Sequence, residues 1–88
     1  KKNNDGPSLE HLIDKFNKNP NKIENITKLA DKYFAKNMLD EAFELLLNNF
    51  KKNKEQIKIK FLEYFEALGN EHDKTIEFRK KLSSIMFS

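Results

Sequence analysis

Apolar residues recur along this chain at helical rather than strand spacing, and polar stretches cut the pattern into five segments. In the first, Leu9, Leu12, Ile13 and Phe16 fall at i, i+3, i+4 and i+7, a single stripe on one helix. The run Asn17 to Asn21 ends it, because Pro20 cannot continue a helix and biases Asn19 toward extended backbone. Ile23, Ile26, Leu29, Ala30 and Tyr33 form a second stripe, with Asn37 placed as a left-handed terminator. The third carries Leu39, Ala42, Phe43, Leu46 and Phe50, widened by Leu45 and Leu47. Asp40 near its start puts a carboxylate among free amides and the positive end of the helix dipole. On the fourth, Ile57, Phe61, Leu62, Phe65 and Leu68 are expected to face the core, with Ile59 and Tyr64 to the side, and Gly69 stops it. Asp73 is the expected cap of the fifth, whose stripe is Phe78, Leu82, Ile85 and Met86.

The pattern predicts helices over about 8–18, 22–36, 39–51, 54–68 and 74–87. Short connections and no alternating strand pattern make the expected fold all-α, five antiparallel helices stacked in one domain over 8–88. Residues 1–7 read as a disordered lead-in or linker.

Composition narrows the function. With 88 residues the chain has room for one domain at the small end of what builds its own core. The absence of cysteine excludes disulfides, thiol redox chemistry and thiolate metal sites. The longest apolar runs, such as Leu45 to Leu47, are three residues and far too short to span a membrane, and no apolar segment follows the opening KKNNDG. A cytoplasmic location is therefore expected. The net charge of +3 rests on many lysines and a single arginine, interspersed with fourteen acids, which is the pattern of solvated helix faces. Nucleic-acid binders concentrate arginine and interleave aromatics, so nucleic acid is a disfavoured partner.

The pair of helices over Ile23 to Phe50 resembles one tetratricopeptide repeat. Ile26, Leu29, the small Ala30 and the aromatic Tyr33 match its first helix, and Leu39, the small Ala42 and the bulky Leu46 match its second. Ala30 and Ala42 let the two backbones approach, with Tyr33 and Leu46 filling the space around them. Pro20 stands where a previous repeat's closing proline would, and Ser8 at the small position of the helix before it. Asn49 in place of a usual alanine and Lys54 in place of the closing proline depart from the pattern. The last two helices do not match the repeat in the same register, since Glu63 and Tyr64 stand where leucine and a small residue belong. The resemblance implies a right-handed superhelical stack.

A second resemblance covers nearly the whole chain from Leu9 onward. DEAFELLL (Asp40 to Leu47), KFLEYFEALG (Lys60 to Gly69) and EFRKKLSSIMF (Glu77 to Phe87) are similar to the C-terminal region of thioredoxin-like co-chaperones of the YbbN, or chaperedoxin, type. It implies that the chain is the C-terminal portion of a longer bacterial protein with an upstream thioredoxin fold. It further implies a non-catalytic module whose partners are unfolded clients and a GroEL-type chaperonin, with contact through the last helix. A generic scaffold domain of another multidomain protein is the alternative.

Candidate contact residues follow from the missing neighbour of the last helix. Phe78, Arg79, Leu82, Met86 and Phe87 lie there; Phe78, Leu82 and Ile85 are also expected to cap the core, which leaves Met86 and Phe87 as the better contacts. On the presumed concave face, Glu24, Thr27, Asp31 and Phe34 share a stripe, and Phe34 is the candidate for an apolar client. Thr27 and Asp31 occupy positions where carboxylate-clamp repeats need lysine and asparagine, and an acid there would repel a carboxylate. Lys51, Lys52, Lys54, Lys58 and Lys60 read as a solvated basic strip. His11 with Glu10 and Asp14, and His72 with Asp73, each lack a third convergent ligand, and Ser83 and Ser84 lack a base at matching spacing. No enzyme activity, cofactor, metal or small-molecule substrate is expected.

Overall fold

The first helix, α1 (Leu9–Lys18), starts where the His11 amide donates to Ser8 Oγ at 3.2 Å. That bond satisfies one of the amides every helix start leaves unpaired. The computed structural model describes residues 7–87, so of the lead-in expected over 1–7 all but Pro7 lies outside the described residues. At Asn19 the backbone turns extended, and the chain re-enters a helix after Pro20 as α2 (Ile23–Ala35). Asn25 secures this corner from a buried position, its side-chain amide donating to the carbonyls of Lys15 and Asn19 at 3.1 and 3.2 Å.

Asn37 ends α2 in the left-handed region, at φ 64. The Asn37 amide donates to the Phe34 carbonyl and the Met38 amide to the Tyr33 carbonyl. This Schellman pair closes the last turn and reverses the chain within two residues. Next comes α3 (Leu39–Asn48), with Asp40 and Glu41 in its first turn. Its α-helical part is shorter than the apolar stripe predicts. Asn49 Nδ2 donates to the Leu45 carbonyl at 2.7 Å, and the Asn49 amide reaches Leu46 rather than a residue four back. The chain tightens into a 3₁₀ turn over Phe50–Lys52 that buries Phe50.

Asn53 caps α4 (Lys54–Leu68) by accepting from the Gln56 amide, and Gly69 at φ 97 ends it. At α5 (Asp73–Met86) the cap is His72 rather than Asp73: the Lys74 amide donates to His72 Nδ1 at 3.0 Å. Asp73 instead sits in the first turn, where its charge meets the dipole.

The five α-helices stack in chain order as successive antiparallel hairpins, with no strand among the described residues. Ala30 and Ala42 are fully buried where α2 meets α3, which fits their role as close-approach residues. Leu46 is buried beside them and Tyr33 packs half-buried at the edge. Phe43 is the hub of the core, its ring centroid 4.7 Å from Phe78 and 5.6 to 5.8 Å from Phe61, Tyr64 and Phe65.

Two expectations for α4 are reversed. Tyr64 is buried in the core, and Leu62 is 53% exposed. Tyr64 tolerates burial because its hydroxyl finds a carboxylate on α2, whereas Leu62 lies on a side that no helix covers among the described residues.

Candidate protein-interaction surfaces

The face of α2 bearing Thr27, Asp31 and Phe34 was expected to be open. Instead α4 covers much of it. The Tyr64 hydroxyl and Lys60 Nζ both donate to Asp31, at 2.5 and 2.9 Å, and Lys60 also reaches Glu63 at 3.2 Å. Phe34 lies half-buried and stacked on Tyr64, ring centroids 4.2 Å apart and planes within 9°. Its ring is a packing contact between hairpins rather than a free platform for a client. Thr27 Oγ1 is turned inward onto the Ile23 carbonyl.

The electrostatics of this junction are self-consistent. Burial, reinforced by the Asp31 carboxylate, pushes the Tyr64 phenol far above its ordinary range. Burial pulls the Lys60 ammonium down, but hydrogen bonds and attraction to Asp31 and Glu63 outweigh it and the net shift is upward. A second junction joins α3 to α5, where Lys74 Nζ bridges Asp40 at 2.6 Å and Glu77 at 3.4 Å. The hydrogen bond to Asp40 is the main reason the Lys74 ammonium is held above its usual value.

On the last helix the expected contact residues separate into two groups. Phe78 and Leu82 are buried and are removed from the surface set, because their stripe is the one that faces Phe43 and the core. Arg79 is exposed but occupied: its guanidinium lies 5.3 Å from the Phe65 ring centroid and donates to Asn70 Oδ1 at 3.0 Å. Met86 and Phe87 are exposed, at 39% and 82%.

The basic strip also divides. Lys60 is paired as above, and Lys52 Nζ donates to the Pro20 carbonyl at 3.1 Å while facing the Phe16 ring. Lys51, Lys54 and Lys58, by contrast, rim a groove of about 590 Å³ whose floor is Phe50, Ile85 and Met86. Sequence reasoning placed these lysines on a solvated face and missed the groove. It also missed the exposure of Leu62. A signal for both was present: Ile57, Phe61, Tyr64 and Phe65 repeat the spacing of Ile26, Ala30, Tyr33 and Phe34. That spacing makes Lys58, Leu62 and Phe65 the counterparts of Thr27, Asp31 and Phe34.

No three histidine, cysteine, aspartate or glutamate side chains converge as a metal site among the described residues. No helix among them is long and apolar enough to cross a membrane. No curated protein and no solved structure matches the chain. The sequence profile described as tetratricopeptide repeat matches residues 2–87, nearly the whole chain, and agrees with the helical hairpins, the buried Ala30 and Ala42 and the stacking order. The chain belongs to the tetratricopeptide repeat family.

Proposed function

We propose that this domain is the non-catalytic protein-interaction module of a cytoplasmic, bacterial thioredoxin-like co-chaperone that takes unfolded clients and passes them to a GroEL-type chaperonin. Tetratricopeptide domains generally bind protein partners and are generally non-catalytic, which supports the coarser half of this reading. The observation that carries the finer half is the apolar end of α5. Phe87 is 82% exposed beside the exposed Met86, on a helix whose Phe78 and Leu82 are buried. Large apolar side chains left in water at the end of a stack are contact surface in waiting. Phe78 and Leu82 support the contact indirectly, by fixing the helix that presents Met86 and Phe87.

Capture of purified chaperonin and of a chemically unfolded client on the immobilised chain tests this reading. The Met86→Ser/Phe87→Ser variant removes the apolar end and touches none of the buried core, so helicity by circular dichroism should be unchanged. Its affinity should fall roughly tenfold, about 1.4 kcal/mol for the loss of two partly solvated anchors. Equal capture by both chains overturns the surface assignment, and no capture by the unaltered chain overturns the co-chaperone reading.

A further inference from the structure

Along α2, the face carrying Thr27, Asp31 and Phe34 is covered by the next hairpin through Tyr64 and Lys60. Its counterpart on α4, carrying Lys58, Leu62 and Phe65, has no helix over it among the described residues. Leu62 is 53% exposed there, and Arg79 lies over the Phe65 ring. Two hollows lie along this face, one toward each end of α4. At the first end, about 420 Å³, Leu62, Phe65 and Glu66 meet Arg79. At the second end is the groove of about 590 Å³ over Phe50, Ile85 and Met86.

The charge at that second end is unresolved within the domain. Lys54 and Lys58 stand four residues apart on α4, where like charges repel, and Lys54 opens the helix, where the dipole disfavours a cation. Neither they nor Lys51 form an ion pair among the described residues, and all three line one groove. Glu55 is a carboxylate on the same rim, and it too makes no ion pair there. A partner that brings carboxylates removes the repulsion and the dipole penalty together.

We propose that the α4–α5 groove takes an acidic amphipathic helix of a partner protein, lying where the first helix of a following repeat would lie. The apolar stripe of that helix sits on Leu62 and Met86, and its carboxylates face Lys54 and Lys58. The proposal rests on the protein-interaction reading above and gives its partner a chemistry, but it requires no chaperonin.

The test uses two synthetic amphipathic helical peptides with one shared apolar stripe, flanked by glutamates in the first and lysines in the second, together with a uridine oligonucleotide. Each is fluorescently labelled and titrated with the full chain by anisotropy. The glutamate peptide should bind roughly tenfold tighter than the lysine peptide. The Lys54→Glu/Lys58→Glu variant, whose two substitutions fall on exposed positions and which places an acid at the helix start, keeps the fold and should invert that preference. Amide shifts on adding the glutamate peptide should centre on Lys58, Leu62 and Met86. Four outcomes overturn the proposal: equal affinity for the two peptides, no binding of the glutamate peptide, a preference unmoved by the charge reversal, or oligonucleotide binding as tight as the glutamate peptide. Chaperonin capture is a separate measurement. Its failure alongside intact peptide binding removes only the co-chaperone reading, and the reverse pattern removes only the acidic-helix groove.

Discussion

The hydroxyl of Tyr64 donates to Asp31 Oδ1 at 2.5 Å, tying α4 to α2 across a separation of 33 residues. Lys60 holds the other carboxylate oxygen at 2.9 Å, and the Tyr64 ring stacks on Phe34. Two helices that no loop joins directly are thereby held against each other. Tyr64→Phe keeps the stacking and removes only the hydroxyl. Asp31 retains Lys60 and access to water, so no unpaired charge is buried. The expected loss is about 1 kcal/mol in urea unfolding, the usual net worth of one hydrogen bond, raised or lowered little by the half-exposed acceptor. A loss below about 0.3 kcal/mol would show that the bond sets geometry without contributing to stability.

The same junction predicts alkaline sensitivity. Burial and Asp31 raise the Tyr64 phenol in the folded state, while in the unfolded chain it titrates near 10. A raised folded value means the folded state holds its proton longer, so this stabilisation is complete below pH ~10 and declines as pH rises beyond it. Lys60 and Lys74 are also raised, and lose stabilisation in the same direction. In a Tyr33→Phe chain, Tyr64 is the only phenol left. Its phenolate absorbance at alkaline pH should therefore rise together with the loss of helical dichroism. Phenolate appearing near pH 10 with helicity intact would contradict the assignment.

Helices were legible in the sequence because each stripe keeps its period over two or more turns. Edges were not, for physical reasons. The stripe on α4 is wide enough to include both Leu62 and Tyr64, and which edge is buried depends on what packs there. Tyr64 is inside because its partner, Asp31, lies on a helix two elements earlier. Leu62 is outside because none of the described helices packs over that edge. The end of α3 was misjudged for a local reason, since Asn49 takes the Leu45 carbonyl that a continuing helix would need. On the candidate surface, the exposure of Phe87 and Met86 followed from their place at the end of the last stripe. The α4–α5 groove did not, because it requires the second hairpin to be recognised as a repeat in a shifted register.

Phe43 touches four other rings, and its side chain is fully buried. Phe43→Ala should cost about 4 kcal/mol, transfer plus cavity, since the stacked neighbours cannot all collapse inward. For a domain of this size that is a large share of the total stability. Thermal unfolding should become broad or be lost below physiological temperature. Phe87→Ala, at the exposed end of α5, is the matched control and should leave the transition where it is.

Ala30 and Ala42 predict the opposite kind of damage. Both are fully buried where α2 and α3 approach, so Ala42→Leu has no space to occupy. The helices must separate or the leucine must leave its rotamer, at a cost of about 2 kcal/mol. α4 carries the bulky Phe61 at the position corresponding to Ala30, fully buried under Phe43. A large residue is therefore accommodated there when its surroundings are built for it. Urea unfolding of Ala42→Leu should show a lower midpoint with an unchanged slope, the mark of a strained native state rather than an altered unfolded one.

Thr75 lies in the first turn of α5, fully buried, and its hydroxyl has no hydrogen-bond partner among the described residues. A buried hydroxyl without a partner carries its desolvation cost uncompensated, about 1 to 3 kcal/mol. Valine has nearly the same shape, keeps the β-branched packing and lacks the hydroxyl. Its slightly lower tolerance in helices is small beside the penalty removed. Thr75→Val should therefore raise the unfolding free energy by about 1 kcal/mol, where most core substitutions lower it. Thr75→Ser separates the two contributions: it retains the unsatisfied hydroxyl and deletes a buried methyl, so it should destabilise the domain. If valine destabilises and serine does not, the hydroxyl is bonded in solution and Thr75 supports the start of α5 rather than straining it.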